Sequence, residues 1–177
     1  MVIVRTFGDA FVSHELEREA WRELSREFKW TEELINKYRA NIDWFELSKN
    51  NEMLWTISIL ENFKEWIHWD LLSEFAPERI LTPKIIRQFA DKWDWGELSG
   101  NCCLKLSTEL LDEFANKWDW ERIINNWRAE EMYTPEFFER YKEFIPAERI
   151  KASALWEELV DRRVAELKQA IIEQTGA

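Results

Sequence analysis

One spacing, repeated five times, constrains this chain more than any other feature. A Ser or Thr is followed by two residues, two apolar residues, two more residues and then Phe or Tyr, at positions 31–38, 56–63, 82–89, 107–114 and 134–141. The copies recur with a period of about 25 residues, which marks an array of like supersecondary units. A unit this short cannot bury its own apolar face, so neighbouring copies must share a core.

Each copy reads as the start of a helix, here termed helix B. The Ser or Thr hydroxyl can accept a backbone N–H from the first turn. Pro83 and Pro135 follow two of these caps, at the position where a missing N–H costs nothing. The residues before the caps are Trp30, Trp55, Leu81, Leu106 and Tyr133, and five residues further on stand Ile35, Leu60, Ile86, Leu111 and Phe138. That apolar pairing across the cap is a hydrophobic staple.

A second, shorter helix A is predicted after each helix B. Six residues past the closing aromatic come Trp44, Trp69, Trp95, Trp120 and, in the last copy, Ala147. Asp43, Asp94 and Asp119 precede three of the Trp residues as N-cap candidates, with His68 and Pro146 in the other copies. Leu47, Leu72, Leu98, Ile123 and Ile150 lie three residues on, along the same helical face. Asn50, Asn101 and Asn126 then suit a left-handed residue ending helix A.

The ends depart from the pattern, as the caps of a repeat array must. Trp21, Leu24 and Ser25 match helix A without a preceding helix B, so residues 10–29 read as a half-repeat merged into a longer helix. Residues 153–174 carry Leu155, Leu159, Leu167 and Ile171 on one side of an amphipathic helix, with Gly176 as its terminator. Residues 1–7 fit either a strand or an extended arm. The expected fold is all-α: a right- or left-handed solenoid-like array of about five helix pairs between two capping helices. It forms a single domain, with residues 1–30 as the N-terminal cap and half-repeat, 31–152 as the repeats, and 153–177 as the C-terminal cap.

Residues 93–101, Trp-Asp-Trp-Gly-Glu-Leu-Ser-Gly-Asn, resemble the W-D-W-x-x-L-S-x-N repeat found in proteins of large DNA viruses and some bacteria. Residues 42–127 carry the resemblance best, while Phe75, Ile124 and Ala147 depart from the Asn, Ser and Trp of the pattern. The resemblance implies a helical repeat fold. Since those repeat proteins are mostly without assigned activity, it implies no function.

Charge and residue types narrow the function classes. A net charge of −11 on 177 residues disfavours direct nucleic-acid binding, because an acidic surface repels phosphates. No run approaches the ~18 apolar residues of a membrane span, and the short apolar start lacks the basic region of a secretory signal. Cys102 and Cys103 are adjacent, fall in a loop and are poorly placed for a disulfide, which fits a reducing, cytoplasmic setting. His68 reads as a cap-position residue and His14 as a surface residue of the first helix. Two isolated histidines make no zinc site. No phosphate loop, nucleophile elbow or distinct carboxylate pair is present. The chain is therefore read as no enzyme, with no metal and no cofactor.

Trp44, Trp69, Trp95 and Trp120 share their register with the apolar positions Ile42, Ile67, Trp93, Trp118 and Ile145, and are read as core rather than as a stacking platform. Trp66, Trp127 and Trp156 fall outside that register and are candidate exposed anchors for a protein partner. Glu109, Asp112 and Glu113 project from the fourth helix B, whereas Lys84 and Arg87 occupy the third. Such alternation suits a mixed-charge protein interface. The leading expectation is a protein–protein interaction scaffold. The alternative is a small acidic inhibitor that blocks a nucleic-acid-binding protein, such as a host-defence nuclease.

Overall fold

A computed structural model describes residues 2–175 of the chain, and the side chains of residues 11–174. Among the described residues it is all-helical, with no strand. The five predicted B helices are α2 (Glu32–Tyr38), α4 (Ile57–Phe63), α6 (Pro83–Gln88), α8 (Thr108–Glu113) and α10 (Pro135–Tyr141). Four A helices alternate with them: α3 (Trp44–Ser48), α5 (Trp69–Phe75), α7 (Trp95–Gly100) and α9 (Trp120–Ile123). The long terminal helices are α1 (Val2–Glu27) and α11 (Ala154–Thr175).

Three expectations are corrected. The backbone is helical from Val2, so the N-terminal residues form neither a strand nor an extended arm. The fifth copy has no α-helical helix A; Pro146 stands at the position held by Asp in three of the others and by His68 in the fourth. A single 3-10 turn at Ile150–Ala152 takes its place. Two of the asparagines expected to end helix A in a left-handed conformation, Asn101 and Asn126, do not adopt it. Asn101 has φ −64 and ψ 119, and Asn126 has φ −82 and ψ 109. Gly176, the expected terminator of the last helix, lies outside the described residues.

The caps form as the residue types require. Thr31, Thr56, Ser107 and Thr134 accept from the backbone N–H groups of Leu34, Ile59, Leu110 and Phe137. Asp43, Asp94 and Asp119 do the same for Glu46, Glu97 and Arg122, whereas His68 makes no side-chain cap bond. The staple residues are buried except Phe138, which is half-buried.

The chain divides into two compact units. The first holds the residues up to Ile80 together with Lys84–Trp93. Within it α1 packs on α3, and α3 on α5. In this unit the buried Ser25 and Ser48 each tie one copy to the next. Ser25 donates to the Trp21 carbonyl (2.7 Å) and accepts from the Asp43 N–H (2.9 Å). Ser48 donates to the Trp44 carbonyl (2.7 Å) and accepts from the His68 N–H (2.9 Å). Buried Asn50 donates to the carbonyls of Ser25 and Phe28, both at 2.9 Å. Its own oxygen accepts from the N–H groups of Glu52 (2.8 Å) and Met53 (2.9 Å). A single side chain thus bonds four backbone groups, the Ser25 carbonyl in the last turn of α1 and three in the loops that follow α1 and α3.

The second unit comprises Leu81–Pro83 and the residues from Asp94 onward. There α7 packs on α9, and α11 packs on the 3-10 segments Trp127–Met132 and Ile150–Ala152. Ser99 repeats the tie, donating to the Trp95 carbonyl (2.6 Å) and accepting from the Asp119 N–H (3.0 Å). Asn126 repeats the clamp, donating to the Ser99 carbonyl (3.1 Å) and accepting from the Arg128 N–H (3.0 Å). Tyr133 is buried, and its hydroxyl donates to the carbonyls of Ile123 (2.6 Å) and Asn126 (3.0 Å). Burial pushes that phenol well above its ordinary range.

Candidate functional site

The tryptophans separate into packing residues and surface residues. Each helix A Trp, including Trp21 of the half-repeat, meets the aromatic that closes the next helix B. Ring centroids are 5.5 Å apart for Trp21–Tyr38 and Trp44–Phe63, 5.3 Å for Trp69–Phe89, 4.6 Å for Trp95–Phe114 and 4.8 Å for Trp120–Tyr141. Trp44, Trp69 and Trp120 are buried. Trp95 is not: it is half-buried, against the expectation of a core residue. It packs on Phe114 and edge-on to Trp118, while the Lys117 ammonium covers part of its face at 5.2 Å.

The three candidate anchors are exposed, at 48% for Trp66, 61% for Trp127 and 37% for Trp156. They lie in different surroundings. Trp66, in the first unit, leans on buried Trp44 at 5.5 Å, with the Arg39 guanidinium over its ring at 5.5 Å. It stands three residues after the closing aromatic, the position held by Lys117 and Phe144 in later copies. Phe144 likewise stacks on Trp120, at 5.4 Å. Trp66 is therefore partly a lid over Trp44.

Trp127 and Trp156 belong to the second unit. Trp127 opens the 3-10 segment after the Asn126 clamp, and the Arg128 guanidinium lies 4.7 Å from its ring. Arg128 is itself tethered, donating to the Cys102 carbonyl at 2.9 Å. The anchor thus has a fixed backbone and an open face. Trp156 sits in the first turn of α11, where Ser153 caps its N–H.

The three acidic candidates share α8 but do not form one free acidic patch. Arg140 grips Asp112 with two guanidinium nitrogens, one at 2.9 Å, and the Tyr141 hydroxyl donates to the same carboxylate at 2.9 Å. The Arg140 bonds hold the Asp112 carboxyl below the usual carboxylate range, outweighing its partial burial. Burial and the adjacent Asp112 push the Tyr141 phenol up to about 12. Glu109 is exposed and also lowered, by hydrogen bonds to its own backbone N–H and to Ser107. Glu113 is exposed on the same helix.

The remaining candidates stay apart. His14 is exposed in α1. His68 is exposed, with its ring edge-on to Phe45 at 5.6 Å. Cys102 and Cys103 form no disulfide, and their sulfurs lie 4.0 Å apart in a loop. Among the described residues no three His, Cys, Asp or Glu side chains converge as a metal site. Nor is any helix long and apolar enough to cross a membrane.

Two features escaped the sequence reading. Glu46 is a buried carboxylate, 2% exposed, ion-paired to Arg22 (3.2 Å) and Lys49 (2.8 Å). Burial pushes its pKa up, but the bonds to Lys49 and Arg22 outweigh that and hold it low. The second is an apolar groove of about 330 Å³ lined by Trp21, Leu24, Phe28, Trp30, Leu34 and Tyr38. Its signal was available: Trp21 belongs to a helix A with no helix B before it, so one side of the half-repeat stays open.

Comparison with known proteins yields no match to a family model, to a curated protein or to a solved structure.

Proposed function

We propose that this protein is a non-catalytic interaction module, a helical-repeat scaffold that binds another protein through exposed aromatic anchors. The observation that carries the reading is Trp127, 61% exposed on a backbone pinned by Asn126 and Arg128. A large rigid side chain held open to solvent is the residue type enriched at interface hot spots. In this reading the helix pairs stack as a solenoid-like array of W-D-W-x-x-L-S-x-N type, with α1 and α11 covering its ends. The recurrence of the Ser tie and Asn clamp supports that arrangement. The setting is cytoplasmic and the partner is a protein rather than nucleic acid.

The acidic-inhibitor alternative would require a continuous negative face. Arg140 against Asp112, and Lys92 against Glu65 at 3.1 Å, favour a surface of mixed charge instead. The test is partner recovery by immobilised wild type, Trp127→Ala, Trp66→Ala and the triple variant Glu109→Gln, Asp112→Asn, Glu113→Gln, over a range of salt. The scaffold reading expects Trp127→Ala to lose the partner while salt and the triple variant have little effect. Attraction between opposite charges is screened over about 8 Å at physiological ionic strength. A steep salt dependence abolished by the triple variant would therefore establish the acidic inhibitor instead.

A further inference from the structure

The C-terminal helix α11 carries two apolar faces rather than the single face expected from its sequence. Leu155 is buried and Leu159 half-buried, where the first turns of the helix meet the rest of its unit. From Val160 to Gln174 every residue is exposed. Along this stretch Val160, Val164, Leu167 and Ile171 are 42%, 40%, 46% and 60% exposed. Their spacing alternates four, three and four residues, the a/d pattern of a coiled-coil seam. At 100° per residue the seam lies well over a right angle away from Leu155 and Leu159, so the face that anchors the helix cannot cover it. An isolated helix of this length is marginal in water, and helical stability in proteins comes mostly from packing an apolar face.

We propose that this seam pairs α11 with the α11 of a second copy of the chain, in antiparallel orientation. The charges flanking the seam select both occupant and orientation. Asp161 and Lys168 lie on one flank, and Arg163 and Ala170 on the other. In an antiparallel pair each flank meets the same flank of its partner. Asp161 then faces Lys168 of the second copy, twice, about a two-fold axis, while Arg163 faces Ala170. The apolar layers close on themselves, Val160 against Ile171 and Val164 against Leu167, as an isologous contact requires. A parallel pair would instead bring Arg163 against Lys168, like against like. Four layers make a small interface, so the association is reversible and in the micromolar range. It is independent of partner binding through Trp127.

The test is sedimentation equilibrium of the full chain over a wide concentration range. Wild type should shift from 21.6 kDa towards twice that mass as concentration rises. Leu167→Glu, at an exposed position, should keep its helical spectrum and remain monomeric. Lys168→Asp and Asp161→Lys should each weaken association by about ten-fold, and the double exchange should restore it. A chain that stays at 21.6 kDa throughout would overturn the proposal, as would a dimer unaffected by Leu167→Glu. Tighter association in Lys168→Asp would overturn the antiparallel pairing, because that change relieves the parallel clash.

Discussion

At the scale of single residues, the buried polar side chains are the most consequential. Asn50 satisfies four backbone groups at once. Each buried group left unpaired costs about 1–3 kcal/mol, so Asn50→Ala should destabilise the protein by about 3 kcal/mol or more in urea titration. Asn50→Asp should do nearly as badly, since a carboxylate cannot donate to the Ser25 and Phe28 carbonyls. Glu46 adds a pH signature. Its folded pKa lies below its unfolded value of about 4.5. The stability it contributes is therefore present above that pH and lost as pH falls through the folded pKa. Glu46→Gln should destabilise the protein at neutral pH, with the gap to wild type closing in acid. A constant gap in melts from pH 7 to pH 3 would refute this. Neither role was legible in the sequence. Asn50 sits 22–25 residues from the carbonyls it binds, and Glu46 sits 24 from Arg22. Their register emerges only when successive A helices pack. What the sequence does present is a polar residue at the end of an apolar stretch, and a local cap was the nearer reading.

At the scale of elements, the helices were readable because their determinants are local. A hydroxyl at the cap, an apolar residue before it and another five residues on specify each helix B with no knowledge of its neighbours. Asp does the same for helix A, and the exception makes a prediction. His68 occupies the cap of α5 with β-region backbone but makes no side-chain cap bond, whereas Asp43, Asp94 and Asp119 do. His68→Asp should supply that bond and stabilise the protein by about 0.5–1 kcal/mol, less whatever the Phe45 contact contributes. A lower melting temperature would mean that the ring contact outweighs the cap. Asp119→Ala should cost about 1 kcal/mol by removing an existing cap. The departures from expectation also follow from local chemistry. The fifth copy lacks both the capping Asp and the helix A Trp, with Pro146 and Ala147 in their places, and its helix A is reduced to a 3-10 turn. The single stripe expected of α11 from Leu155, Leu159, Leu167 and Ile171 divides in two, because the first two and the last two lie on different sides of the helix.

At the scale of the molecule, each unit is organised around aromatic pairs, with surface tryptophans left over. The packing set follows the repeat: a helix A Trp against the closing aromatic of the next helix B. Such pairs contribute about 0.5–1.5 kcal/mol each beyond the area they bury. Trp95 is an intermediate case, and Trp95→Ala should cost less than the loss of a fully buried Trp. The surface set does not follow the repeat, and Trp127 is its most exposed member. The interaction reading depends on that division, because only a tryptophan the fold does not need is free to serve a partner. The most direct measurement is the unfolding free energy of Trp120→Ala and Trp127→Ala by chemical denaturation. Trp120→Ala should lose about 3–5 kcal/mol as a buried aromatic truncated to a cavity. Trp127→Ala should stay within about 0.5 kcal/mol of wild type, as a surface substitution does. If Trp127→Ala instead destabilises the protein as much as Trp120→Ala, Trp127 is a packing residue and the proposed partner surface loses its anchor.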